Sequence, residues 1–386
     1  MDEITGYVRE NGEVGIRNHL LFLPTVTCVN GVVQRMVKEI PEAAWINHAY
    51  GCGRGGQRDL QILFQILSRM IHHPNVGGAV VIGLGCEVSN INTLKPYLED
   101  AGKPVEIVNV QDDGGSLKTA EKGVRKARKI LDHIQQQQRV AVPWDKLLVS
   151  MKCGGSDAMS GVTANPALGA VSDWLVENGA SVIFGENTEM IGTDHVLKRR
   201  AKNKEIADTI EKVVADAEQL TRDIMGPLAN LVISPGNMDG GMSTITEKSM
   251  GCILKGGTTT INQIVDYGEV PTEKGLIIQD GPGYDGDAMT GLAASGSQLM
   301  FFSTGRGTPV GFPILPVIKM ASNSEVYNAM MDDMDLNAGC LLEGESITSF
   351  RDNIIAHMIG VINGEKTKAE LNKMDIFTCM TVHPPF

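Results

Sequence analysis

Three cysteines share one sequence context that could bring reactive sulfur atoms together. Cys52 lies in "AYGCGRGG", Cys86 in "VVIGLGCEVSN" and Cys153 in "LLVSMKCGGSD". Each cysteine follows an apolar run and adjoins a glycine, which predicts a strand that ends in a tight loop. Because the carboxyl ends of parallel strands gather at one edge of a sheet, we expect these three loops to converge there.

The chemistry that such a convergence would support is metal binding. Thiolates favour soft or borderline metals, including iron in clusters, and three ligands leave a coordination position open for a substrate oxygen. The alternative is that each cysteine only fills space in the interior. The chain has no CxxC pair, which argues against structural zinc. We interpret the cysteines outside this loop context, Cys28, Cys252, Cys340 and Cys379, as packing residues.

The elements that must position these loops alternate between strand and helix. The amphipathic stretches "RDLQILFQILSRMIHH" and "SLKTAEKGVRKARKILDHI" predict helices, and "VGGAVVIGLGCE" and "ASVIFGE" predict buried strands. This alternation favours an α/β fold, which we predict as two Rossmann-like domains with mostly parallel sheets. The tract at 135–145, "QQQQRVAVPWD", predicts a boundary between a domain at 1–140 and a domain at 146–386.

Composition limits the kind of partner that we expect. A chain of 386 residues with 42% apolar content is long enough for two globular domains. Its net charge of −12 disfavours nucleic acid as a partner, and an anionic substrate would need local Arg or Lys. The apolar run near the N-terminus, "LLFLPTV", is too short to span a bilayer. We therefore predict a cytoplasmic protein with no membrane partner, in which the seven cysteines remain thiols.

A set of segments in fixed order resembles the altronate/galactarate dehydratase family. Among them are "GYVRENGEVGIRNH", "VIGLGCEVSNI", "KCGGSDAMSGVTANPALG", "FGENTEMIGTDH", "GPGYDGDAMTG" and "FFSTGRGTPVGFPILPVIKMASN". The resemblance implies an iron-dependent enzyme that dehydrates a sugar acid to a 2-keto-3-deoxy acid. It implies that residues 1–140 correspond to the family's second domain and residues 146–386 to its C-terminal catalytic domain. We also expect a small SAF-domain subunit as a partner of this large subunit, and a homo-oligomer of the large subunit itself.

The implied reaction assigns roles to the cysteine loops and to a nearby histidine. Removing water from a dihydroxy acid needs a base, positive charge near the enolate, and an acid or a metal for the leaving hydroxide. We expect iron to be held by some of Cys52, Cys86 and Cys153, as Fe²⁺ or as an iron–sulfur cluster. His48 precedes Cys52 by four residues and is a candidate ligand or proton donor, or alternatively a hydrogen-bonded strand histidine.

Further acid–base candidates follow predicted strands. The segment "GENTEMIGTDH" supplies Glu186, Glu189 and His195, of which Glu186 or Glu189 is the candidate general base. The alternative is that Glu189 only begins the next helix. Asp280 and Asp285 in "QDGPGYDGD" could bind a hard cation or orient an arginine, or they could mark a simple turn.

Four more residues are candidates for binding the substrate. Ser156 and Asp157 after Gly-Gly could bind an anion at a helix start, or only cap that helix. Arg306 in "STGRGTP" and Lys319 in "PVIKMAS" could neutralise the substrate carboxylate. Arg306 is the stronger candidate because a guanidinium forks onto a carboxylate.

The resemblance leaves two alternative functions. The family also includes large subunits of sulfolactate sulfo-lyase, which release sulfite. In that branch the first two cysteine loops are altered, so the intact Cys52 and Cys86 favour a dehydratase. A non-catalytic sugar-acid-binding protein is the other alternative, and the cysteine loops and clustered carboxylates argue against it because binding alone does not need them.

Overall fold

Two parallel sheets and one small antiparallel sheet form the framework of the computed structural model, which describes residues 3–53, 56–98, 101–227 and 233–383. The predicted α/β fold with mostly parallel sheets is confirmed. Within those ranges no helix is both long enough and apolar enough to cross a membrane.

The strands and helices alternate through most of the chain. The strands are β1 (Ile4–Val8), β2 (Val14–Gly15), β3 (His19–Pro24), β4 (Ala44–Trp45), β5 (Val76–Gly83), β6 (Val105–Asn109), β7 (Val140–Val142), β8 (Leu148–Cys153), β9 (Ser181–Phe184), β10 (Ile261–Val265), β11 (Leu276–Gln279), β12 (Leu299–Thr304), β13 (Val317–Ala321) and β14 (Leu336–Asn337). The α-helices are α1 (Asn30–Glu39), α2 (Gln57–His72), α3 (Ile91–Leu98), α4 (Ser116–Ile134), α5 (Ala164–Glu177), α6 (Asp194–Lys198), α7 (Lys204–Met225), α8 (Pro235–Asp239), α9 (Ile245–Cys252), α10 (Asp285–Ala294), α11 (Ser324–Ala329), α12 (Ile347–Ile362) and α13 (Lys368–Asn372).

The smaller parallel sheet has the strand order β4-β3-β5-β6. Its two central strands, β3 and β5, are buried on both faces because helices cover both sides, as parallel sheets require. Alternation along β3 sorts the side chains: Leu20 and Phe22 pack with α1 and α4, whereas Leu21 and Leu23 pack with α2. This sheet carries the loops of Cys52 and Cys86 at its carboxyl edge.

The larger parallel sheet has the strand order β10-β11-β9-β8-β12-β13-β14, which puts β8 near its middle. Val149 and Met151 of β8 pack with α5 and α12 on one face. Met300 and Phe302 of β12 pack with α10 on the other face. The same hydrophobic cluster includes α2 of the smaller sheet, so one continuous core joins the two sheets.

The antiparallel sheet connects the start of the chain with the segment between the two parallel sheets. β1 pairs with β2 on one side and with β7 on the other. Arg139, just before β7, donates hydrogen bonds to the carbonyl oxygens of Thr5 at 2.7 Å and Ile16 at 3.0 Å. The tract at 135–145 therefore folds back onto the N-terminal strand and contains β7.

Candidate functional site

The strand β8 delivers two functional side chains to opposite sides of the larger sheet. Lys152 and Cys153 are its last residues, and both are fully buried. Because successive residues of a strand point to opposite faces, Lys152 reaches α10 and Cys153 reaches the turn that follows α9. β9 is the parallel neighbour of β8, so the segment after β9 comes to the same edge.

Glu186, in the segment after β9, links these two sides. Its Oε1 is ion-paired with Lys152 Nζ, and its Oε2 lies 2.8 Å from Lys255 Nζ. The backbone of Glu186 has φ 75°, a left-handed conformation that costs a non-glycine residue about 1–3 kcal/mol. This backbone conformation directs the carboxylate toward both buried lysines, and the two ion pairs hold it in place.

The helix α9 and the turn after it supply a third set of side chains. Lys248, Cys252 and Lys255 are spaced by four and three residues, which places them on one helical face. Lys248 Nζ lies 2.8 Å from Glu189 Oε1, and Lys255 Nζ donates to Cys153 Sγ at 3.0 Å. The sequence interpretation assigned none of these three to the site. The Lys-Cys-Lys spacing within an otherwise apolar and glycine-rich stretch was the signal that could have indicated them.

We call these eight residues the buried centre: Lys152, Cys153, Glu186, Glu189, Lys248, Cys252, Lys255 and Asp285. Its three ammonium groups face three carboxylates, so the charges balance when both thiols are neutral. Removing one partner of a buried ion pair costs about 3–5 kcal/mol, whereas replacing both partners by apolar residues is often neutral. Because apolar residues would stabilise the fold equally well, such pairs are retained for reasons other than stability. Charge of this density in the interior therefore points to a functional site.

The surroundings of the two glutamates shift their pKa values in opposite directions. Burial raises the pKa of Glu186, and the neighbouring Glu189 raises it further. Burial would also raise the pKa of Glu189, but Lys248 and Lys255 outweigh it and hold that pKa well below its usual range. For Lys152, burial would lower the pKa, but Glu186 and Asp285 raise it. Paired groups whose pKa values are pushed apart are typical of acid–base sites.

One group of side chains in the buried centre could hold a metal ion. Cys153 Sγ, Cys252 Sγ and a carboxylate oxygen of Glu189 lie within 4.8 Å of one another, and all three residues are buried. The Cys153 thiol donates to Glu189 Oε2 at 3.0 Å, and its pKa is raised by the hydrogen bond with Cys252 and by burial. Cys252, which the sequence interpretation treated as a packing residue, completes this group.

The three cysteine loops do not share one sheet, and that expectation is wrong. Cys52 and Cys86 are exposed in loops of the smaller sheet, whereas Cys153 ends a strand of the larger one. Among the described residues, no group of three metal-ligating side chains includes Cys52 or Cys86. Strand periodicity predicted the local form of each loop but not the sheet to which each strand belongs.

The two histidines predicted to be catalytic lie in different environments. His48 is buried, with Nε2 2.8 Å from the Pro24 carbonyl oxygen and Nδ1 accepting from Tyr50 N–H. Burial lowers the pKa of His48 to about 4, so its ring is neutral near pH 7 and both nitrogens are occupied. His195 is exposed on the short helix α6.

The serine and the aspartate after Gly154-Gly155 are both buried, but they differ in their hydrogen bonds. Asp157 is buried and accepts four hydrogen bonds from side chains and backbone, from Ser160 N–H and Oγ, Ser322 Oγ and Asn323 Nδ2. It stabilises the loop and does not cap α5, which begins after Thr163. Ser156 is buried, and its Oγ has no hydrogen-bond partner among the described residues.

Of the two predicted cationic residues, Arg306 lies beside the Cys153 loop. The N–H groups of Gly305 and Arg306 both donate to the Gly155 carbonyl oxygen, at 3.1 and 2.8 Å. The Arg306 side chain is exposed and makes no ion pair within the described ranges. Lys319 is buried in β13, and its Nζ donates to the Pro309 carbonyl oxygen at 2.6 Å. Of these two cations, only Arg306 is open to an incoming anion.

The fold is parallel α/β, and a charge-balanced acid–base centre lies at the carboxyl ends of its strands. The protein therefore belongs to the class of enzymes that bind their ligands at this edge of the sheet. Residues 144–384 match the family model described as D-galactarate/Altronate dehydratase, C-terminal, and residues 6–135 match D-galactarate dehydratase/Altronate hydrolase, second domain. The chain belongs to the D-galactarate/altronate dehydratase family, as its motifs predicted.

Relatives with assigned activities match almost the whole chain. It is 38% identical to altronate dehydratase of Bacillus subtilis over 95% of this chain and 75% of that protein. It is 37% identical to galactarate dehydratase (L-threo-forming) of Escherichia coli, over 94% of this chain and 73% of that protein. It is 32% identical to (2R)-sulfolactate sulfo-lyase subunit beta of Chromohalobacter salexigens, over 95% of this chain and 94% of that protein.

Proposed function

We propose that the protein is a hydro-lyase that removes water from a sugar acid, an aldonate such as altronate or a related aldarate, and forms a 2-keto-3-deoxy acid. The observation that carries the proposal is the buried centre at the carboxyl ends of β8 and β9, in a chain 37–38% identical to two sugar-acid dehydratases. A binding protein would need neither two fully buried lysines nor a strained glutamate between them.

The residues of the site supply what the elimination requires. Arg306 is exposed beside the Cys153 loop and can bind the substrate carboxylate through two parallel hydrogen bonds. Lys152 and Lys255 are fixed ammonium groups that favour the negative charge that develops when the carbon next to that carboxylate loses its proton.

We propose iron as the cofactor, as the family resemblance implies. The donor set of the buried centre fits this ion, because thiolates and a carboxylate are ligands that suit iron. Cys153, Glu189 and Cys252 would hold it. Bound iron would supply a Lewis acid that polarises a substrate oxygen.

A sulfo-lyase is the second candidate function. One observation favours it: the chain is 32% identical to (2R)-sulfolactate sulfo-lyase subunit beta of Chromohalobacter salexigens. Both reactions begin with loss of the proton next to a carboxylate, so the same acid–base residues would serve either. The leaving group distinguishes them.

We also propose that a small SAF-domain subunit is a partner of this chain, and that the large subunit forms a homo-oligomer. The similarity to a protein that is itself named as one subunit supports the first part. We place the protein in the cytoplasm, where exposed thiols such as Cys52 and Cys86 persist. A purified SAF-domain protein should raise turnover when it is added, and it should co-elute with the chain. Measurement of the molecular mass in solution should give the number of large subunits.

The decisive experiment is a product assay on protein prepared without oxygen, with and without the SAF-domain subunit. Altronate, galactarate and sulfolactate are supplied separately, and keto-deoxy acid and sulfite are both measured. We expect keto-deoxy acid from a sugar acid and no sulfite. Sulfite from sulfolactate, with no product from the sugar acids, would assign the sulfo-lyase function instead. No product from any of them, with iron and the partner present, would refute both functions.

A further inference from the structure

We propose that Asp285 is the catalytic base that removes the proton from the substrate, and that Lys152 positions it. The inference rests on the proposed lyase function and names the residue that performs its first step. The sequence interpretation instead favoured Glu186 or Glu189. The reason for the change is which carboxylate a substrate can reach.

Accessibility separates Asp285 from the other two acids of the buried centre. The side chain of Glu186 is 0% exposed and that of Glu189 is 5% exposed, whereas that of Asp285 is 39% exposed. A base must come within hydrogen-bond distance of the proton that it removes. Glu186 is enclosed by Lys152 and Lys255, so a substrate would have to displace both lysines to reach it.

The two oxygens of Asp285 differ in their contacts. Oδ1 accepts a hydrogen bond from Lys152 Nζ at 2.6 Å, and Oδ2 makes no hydrogen bond to any of the described residues. Lys152 is itself fixed by Glu186 and by the Cys153 carbonyl oxygen. One oxygen is therefore held and the other is available, which is the arrangement that an oriented base needs.

Asp285 also lies beside the Cys153 loop, where we place the substrate. Asp285 begins α10 and lies so close to Gly154 that a Cβ on this glycine would meet Asp285 Oδ1 at 2.5 Å. The next residue of the loop, Gly155, accepts from the N–H of Arg306. Asp285 therefore lies beside Gly154 and Arg306 beside Gly155, so a partly exposed carboxylate and an exposed arginine adjoin the same glycine pair.

The proposed step balances in atoms and charge. Asp285 Oδ2 takes the proton from the carbon next to the substrate carboxylate. The electron pair of that C–H bond first passes into the carboxylate as an enolate, which can take the proton back or exchange it with solvent. The pair then forms a C=C bond as the C–O bond on the following carbon breaks. The leaving hydroxide takes up the proton that Asp285 received, so one water departs, the enzyme returns to its starting charge, and the enol product becomes the keto acid in solution.

A purely structural role would give different results, because an acid in the first turn of a helix also stabilises that helix. The test is Asp285→Asn, which keeps the shape and the oxygen that accepts from Lys152 but cannot take a proton. Asp287→Asn is the matched control, because Asp287 lies in the same first turn of α10. Asp285→Glu keeps the carboxylate and tests whether base function can be partly restored.

Three quantities are measured on the active enzyme: turnover, exchange of the substrate's α-proton with D₂O, and the melting temperature. For Asp285→Asn we expect turnover and exchange to fall about 10²–10⁴-fold, the usual contribution of a general base. KM should change little. The melting temperature of Asp285→Asn should fall below that of Asp287→Asn, because the buried Lys152 loses one of its two charged partners. Exchange and its partial recovery in Asp285→Glu therefore carry the assignment. Asp285→Glu should exceed Asp285→Asn in both turnover and exchange.

Three results would overturn the proposal, and they separate it from the proposed function. If the native enzyme releases product and Asp285→Asn keeps at least a tenth of its turnover and exchange, the base is another residue while the lyase function stands. The same conclusion follows if Asp287→Asn loses as much activity as Asp285→Asn. If the native enzyme releases neither keto-deoxy acid nor sulfite, both the function and the role of Asp285 fail.

Discussion

Gly161 and Gly251 lie backbone to backbone, so that a Cβ on Gly161 would meet the Gly251 Cα at 2.9 Å. Gly161 follows the Cys153 loop, and Gly251 lies in α9 next to Cys252. No side chain fits between these two segments. The close approach is what allows Cys252 and Lys255 to reach Cys153 from a different part of the chain.

The first prediction concerns this contact. Gly161→Ala should push α9 away from the loop, because the contacting atom is backbone and cannot rotate aside. We expect unfolding free energy to fall by about 1–3 kcal/mol, as for other overpacked sites, and iron content to fall with it. Gly31→Ala is the control, because no atom lies within 4 Å of a Cβ at that position in α1. Equal stability and iron content in both variants would show that the contact does not position α9.

The second prediction concerns the ligands of the metal. Cys252→Ser should lower the iron content of protein purified without oxygen, and should weaken the thiolate absorption that Co²⁺ acquires when it replaces iron, because a hydroxyl is a poor substitute for a thiolate. Cys86→Ser should leave both measurements unchanged, since Cys86 is exposed on the other sheet.

Cys340→Ser is a further control for loss of a half-buried thiol outside the group. The reverse pattern, with iron lost in Cys86→Ser and kept in Cys252→Ser, would restore the ligand set suggested by the sequence.

The third prediction concerns Arg306. If its guanidinium binds the substrate carboxylate, Arg306→Lys should weaken apparent binding, because an ammonium cannot form two parallel hydrogen bonds. The expected loss is about 1.5–3 kcal/mol, which corresponds to roughly ten-fold to more than a hundred-fold in affinity. Iron content and melting temperature should not change, because the side chain is exposed. Arg128→Lys, on the exposed side of α4, is the control. Normal binding by Arg306→Lys would exclude the carboxylate contact.

The fourth prediction concerns stability in acid. Burial lowers the pKa of His73 to about 3, from the usual value near 6.5. Between these values the unfolded chain binds a proton that the native protein does not, so the contribution of neutral His73 is present above pH 6.5 and is lost as pH falls toward 3.

The comparison with His73→Gln isolates this effect, because the other buried histidines are common to both proteins. We expect the native protein to exceed His73→Gln in unfolding free energy at pH 7, and this difference to shrink as the pH of urea titrations is lowered from 7 to 4. His133→Gln, which changes an exposed histidine on α4, is the control for replacing a histidine by glutamine. A constant difference for His73→Gln would mean that His73 titrates normally in the folded protein.

The sequence by itself determined the family, the α/β fold with mostly parallel sheets and the local form of the Cys153 loop. These features depend on residues that are near one another in the chain. Apolar runs and glycine positions specify a strand and the loop that follows it. The segment with Glu186 and Glu189 was found for the same reason, because it follows a buried strand directly.

Only the tertiary structure decided which side chains meet. Cys252 and Lys255 join Cys153 through the approach of Gly161 to Gly251, and Asp285 reaches Lys152 from the start of α10. Strand order also separates the loops of Cys52 and Cys86 from that of Cys153. Neither spacing nor periodicity contains this information, because burial and distances between remote segments depend on how the strands are ordered and how closely their helices pack.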